Sequence, residues 1–60
     1  MNPNVTLDEI STDEFEVLFR GRHRGSVWLN ESGTWSAQDA RDEGQTPGFD
    51  SKEDAAAWLV

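Results

Sequence analysis

The residues best suited to chemistry in this chain are few, and they sit close together. Arg20, Arg22, His23 and Arg24 form its one concentration of positive charge, interrupted by Gly21 and followed by Gly25. Guanidinium groups on a turn, with glycines that let the backbone approach closely, are suited to holding phosphate oxygens. The competing reading is neutralisation by Glu14, Glu16, Asp42 or Glu43 across neighbouring strands. His23 has no serine, cysteine or orienting acid beside it in sequence, so no nucleophile and base are paired. Asp39, Asp42 and Glu43 carry the oxygens that hard cations take, but their spacing is not that of a calcium loop, and a solvated acidic loop is expected instead. No phosphate-binding glycine loop, paired-cysteine motif or zinc-protease motif occurs. Neither catalysis nor a cofactor nor a metal is expected.

A different kind of chemistry is offered by Leu18 and Trp28. A tryptophan on a flat exposed surface supplies large contact area when a partner covers it. These two residues are the expected protein-interaction site, provided that nothing else in the chain packs over them.

The elements that must position these groups follow from period and punctuation. EFEVLFR at 14–20 puts Phe15, Val17 and Phe19 on one side of a strand and Glu14, Glu16, Leu18 and Arg20 on the other. SVWLN at 26–30 turns Val27 and Leu29 one way and Trp28 the other. The glycines at 21 and 25 predict a turn or bulge between these strands. Glu31, Ser32 and Gly33 compose a hairpin connection, after which TWSAQDA sends Trp35 and Ala37 to the same side. The string at 41–48 reads as a loop, because Pro47 disfavours helix at Thr46.

GFDSKEDAAAWL at 48–59 then reads as a short helix. Ser51 is its cap, Asp54 stands three residues on, and Ala55, Ala56, Trp58 and Leu59 form an apolar stripe. The expected fold is α+β: a three-stranded antiparallel meander covered on one face by this C-terminal helix, residues 14–60, preceded by an arm over residues 1–13. The expected core is Phe15, Val17, Phe19, Val27, Leu29, Trp35, Ala37, Phe49, Ala55, Ala56 and Leu59. Trp28 and Leu18 fall on the second face, where either Val5, Leu7 and Ile10 of the arm or a partner would cover them.

Composition sets the outer limits. Sixty residues make one small domain, and the absence of cysteine removes disulfide support. Twelve acidic residues against four arginines and one lysine give a net charge of −7, which repels nucleic acid and favours basic surfaces. No apolar run approaches membrane-spanning length, and the first residues lack the pattern of a signal peptide, so a cytoplasmic protein without membrane contact is expected.

RGSVWLNESGTWSAQDA followed by GFDSKEDAAAWL resembles the three-strand-and-helix module of the AP2-like DNA-binding domains, including the arm-binding domains of phage integrases. Trp35 matches the tryptophan near the start of that family's third strand. Gly48, Phe49, Ser51, Glu53, Ala55, Ala56 and Trp58 match its helix. The resemblance implies that a sheet face enters the DNA major groove, with Arg22, Arg24, Trp28 and Asn30 as the contacts. The −7 charge opposes that activity. The leading expectation is therefore a small acidic interaction or regulatory module, forming a homodimer or binding a protein partner through Leu18 and Trp28. Sheet-mediated DNA binding is the alternative, and acidic mimicry of DNA a lesser one.

Overall fold

The computed structural model describes residues 3–41 and 45–60. Five strands precede one helix: β1 (Val5–Ser11), β2 (Glu14–Phe19), β3 (Arg22–Leu29), β4 (Trp35–Asp39), β5 (Gln45–Phe49) and α1 (Lys52–Leu59). The strands form one antiparallel sheet in chain order, each hydrogen-bonded to the next.

The three-stranded meander expected from sequence is thus corrected to five strands, and the β-β-β-α description with it. The first additional strand comes from the expected arm. Val5 and Leu7 pair with Phe19 and Val17, so these two apolar residues of β1 join the helix-covered face, while Ile10 is exposed. They extend the core sideways and leave Trp28 uncovered. The second comes from the expected loop at 41–48. Pro47 lies within β5, where an edge position tolerates it because one side of the strand needs no donor. A break in register between the Trp35–Phe49 and Ala37–Thr46 pairs accommodates the Pro47–Gly48 step.

The core lies between the sheet and α1. Val5, Val17, Val27, Ala37, Ala55, Ala56 and Leu59 are buried, with Leu7, Phe15, Phe19, Trp35 and Phe49 packed around them. Register explains this selection: Phe15, Val27 and Ala37 form one cross-strand row, and Leu7 and Val17 belong to the next. Leu29, at the end of β3, is instead exposed. Small alanines let the helix backbone approach the sheet, which is why Ala55 and Ala56 are wholly buried while Trp58 stays at the margin against Phe49.

Eight residues are too few for an autonomous helix, so α1 depends on its attachments. Ser51 has extended backbone, and its Oγ accepts a hydrogen bond from Asp54 N at 3.1 Å. Lys52 Nζ lies 4.6 Å from the centre of the Phe15 ring, joining the first turn to β2. At the other end, Arg24 Nε donates to the carbonyl of Leu59 at 3.3 Å. A cation from β3 therefore serves the negative end of a helix whose own last turn has no basic residue.

The β2–β3 connection is a two-residue turn, because Phe19 pairs with Arg22. Both central residues have positive φ, 53° at Arg20 and 80° at Gly21. This is the sterically demanding arrangement that matches strand twist, and asparagine or glycine suits its first position better than arginine. Arg20→Asn should therefore stabilise the protein by about 0.5–1 kcal/mol, seen as a higher urea midpoint with an unchanged slope.

Candidate functional site

Antiparallel register assigns every strand residue to one of two faces, because directly opposed residues share a face. The face away from α1 carries three rows. Thr6, Leu18 and His23 form the row nearest the β2–β3 turn. Asp8, Glu16, Ser26 and Gln38 form the middle row, and Glu14, Trp28 and Ser36 the third.

The structure therefore puts Leu18 and Trp28 on the same face without making them neighbours. Their rows lie four positions apart on β2, about 13 Å along the strand, and the polar Glu16–Ser26 pair lies between. Leu18 opposes His23, whereas Trp28 sits between Glu14 and Ser36. Both are half-buried by their neighbours in the sheet. Trp28 is thus a single aromatic side chain in polar and acidic surroundings.

Its surroundings are firmly built. Ser36 is buried, and its Oγ accepts from Asn30 Nδ2 at 2.8 Å. The same Asn30 amide donates to Thr34 Oγ1 at 3.3 Å, while Asn30 N donates to Thr34 O at 2.7 Å. Asn30 therefore braces the β3–β4 connection beside Trp28, and these bonds already occupy the side chain expected to contact DNA.

Arg22 and Arg24 are directed elsewhere. Arg22 opposes Phe19, a residue of the helix-covered face, and is exposed at its rim. Arg24 is the extra residue where pairing moves from Val17–Gly25 to Leu18–His23. This bulge turns it toward α1, where it is half-buried at the Leu59 carbonyl. The four expected nucleic-acid contacts are thus split, with Arg22 and Arg24 on one face and Trp28 and Asn30 on the other. The suggested neutralisation of the arginines by Glu14 or Glu16 also meets a distance problem, since those residues oppose Trp28 and Ser26, away from the turn. Asp42 and Glu43, the other suggested partners, lie outside the described residues, as does the full grouping of Asp39 with them. Asp39 Oδ1 itself accepts from Arg41 N at 2.8 Å.

The arrangement that sequence reading missed is the direct opposition of Asp8 and Glu16. Like charges facing one another across a ladder repel, so this pair costs the fold a fraction of a kilocalorie per mole. Glu14, two residues along β2, adds a third carboxylate and directly opposes Trp28. The period-two pattern of EFEVLFR shows that Glu14 and Glu16 share a face. Only the register of β1 brings Asp8 beside them.

A partner's ammonium or guanidinium group could use this surface in two ways: by neutralising the Asp8–Glu16 opposition and by lying against the electron-rich face of Trp28. Among the described residues no concave cavity is found and no three His, Asp or Glu side chains gather to hold a metal ion. Among the described residues no helix is long and apolar enough to cross a membrane. No family model, curated protein or solved structure matches the chain.

Proposed function

We infer that this protein is an acidic interaction module that binds a basic segment of a partner protein on the open face of its sheet. The observation that carries this reading is the Asp8–Glu16 opposition, on the β1 side of the sheet face that lies away from α1 among the described residues. An arrangement that works against folding is explicable when its opposing charge comes from a binding partner. Trp28 supplies the apolar anchor, and Glu14 lies between it and the acidic pair. The net charge of −7 steers a basic partner toward the protein and opposes a symmetric dimer through this carboxylate-bearing face.

Neutralising either member should separate binding from stability. Asp8→Asn and Glu16→Gln should each raise folding stability by about 0.5 kcal/mol and weaken capture of a lysine-rich peptide severalfold. Urea unfolding and calorimetric titration at low and physiological salt measure the two effects. Parent affinity should fall as salt rises. Unchanged peptide affinity in both variants, or no peptide binding even at low salt, would overturn the assignment.

A further inference from the structure

The two edges of the sheet are unlike. β5 contains Pro47, which lacks a backbone donor, and it leads within three residues into α1, which packs mainly on β3 and β4. β1 is longer, contains no proline, and among the described residues has a strand neighbour on one side only. An edge of this kind has backbone donors and acceptors available to another extended chain. Its side chains restrict which chain fits. On the open face, Asp8 begins the row that continues to Glu16. On the helix-covered face, Val5 is buried and Leu7 half-buried at the margin of the core.

A second copy fits this edge poorly. Full antiparallel overlap of two β1 strands is centred on Asp8, so it opposes Asp8 to itself and Leu7 to Glu9. The −7 charge of each copy further opposes the approach. Over Val5–Asp8 a strand alternating basic and apolar residues matches both sides: its cations lie beside Asp8 and its apolar side chains beside Val5 and Leu7, with the exposed Glu9 following on the Leu7 side.

We propose that β1 receives an extended basic–apolar segment of a partner protein as a sixth strand, so that the partner enters by backbone pairing as well as by charge. This rests on the reading of a basic partner and adds how that partner's chain is held. Asp8 then has two effects in one place, discouraging self-pairing and selecting a basic strand.

The probe is a capped peptide of alternating lysine and valine, about the length of β1. Two derivatives carry N-methyl groups on one or the other alternate set of backbone nitrogens. In strand addition only one set faces β1, so one derivative should lose at least about tenfold in affinity while the other binds like the parent. Binding of the parent should also slow hydrogen exchange at the outward amides of Val5–Ser11. Equal binding by all three peptides would overturn strand addition while leaving the basic-partner reading intact. No binding by the parent at about 20 mM salt would overturn both. A dimer in sedimentation whose β1 amides are protected without peptide would assign the edge to a second copy and overturn the proposal.

Discussion

Gly25→Ala should remove at least about 3 kcal/mol of folding stability, enough to leave a domain of this size largely unfolded. Two independent effects combine at this position. Gly25 has φ of 157°, and a Cβ placed there runs into the backbone carbonyl oxygen of Gln38 on β4. It also comes within 3.0 Å of Leu59 Cδ2 in the core. The carbonyl belongs to the strand paired with β3 and cannot swing aside as a flexible side chain would. Moving it would disturb the β3–β4 ladder and the position of α1 together.

Gly21→Ala is the appropriate comparison. Gly21 also has positive φ, at 80°, but a Cβ there meets nothing within 4 Å. Its replacement should cost only the local conformational penalty, about 1–2 kcal/mol. Urea unfolding followed by circular dichroism distinguishes the two variants, and similar losses would show that strand contact at Gly25 adds nothing to its backbone conformation.

The second large effect concerns binding. Trp28→Ala should weaken association with a lysine-rich peptide by about 2 kcal/mol, roughly thirtyfold, because an aromatic anchor beside charged groups dominates a small contact. Folding stability should change by less than about 1 kcal/mol, since Trp28 stands outside the core. Trp35→Ala should behave in the opposite way. Trp35 packs with the core, its ring centre 6.0 Å from that of Phe15, and its truncation should cost about 3 kcal/mol of stability. Calorimetric titration and urea unfolding of both variants give the comparison. A peptide affinity unchanged by Trp28→Ala would remove the anchor from the proposed site.

These contrasting roles show how much the sequence conveyed. Alternation in EFEVLFR and SVWLN assigns Val17 and Val27 to one face and Trp28 to the other, and the structure has them so. Ser51, Asp54 and the alanine run specify a short capped helix lying close to the sheet. Alternation fails where a bulge intervenes. Arg24 reads as an outward residue on the strand's polar side, yet the extra residue at the register shift turns it to the helix end.

The edge strands were hidden for different reasons. β1 has only Val5 and Leu7 as inward apolar residues, and Ile10 falls out of phase with them, so its pattern is too weak to stand apart from a polar arm. β5 contains Pro47, an ordinary loop signal that becomes acceptable only when a neighbouring strand lies on one side.

Local pattern alone placed most of the core residues and the Ser51 cap and showed that any partner must contend with strong negative charge, but it missed Val5 and Leu7, counted the exposed Leu29 as core and read β5 as a loop. The tertiary structure decided the number of strands, the opposition of Asp8 to Glu16, and the separation of Arg22 and Arg24 from Trp28. The physical reason is that alternation and capping are local properties of backbone geometry, legible over a few residues. Strand register is set by contacts between distant segments, and a shift of one residue exchanges the faces on which side chains meet.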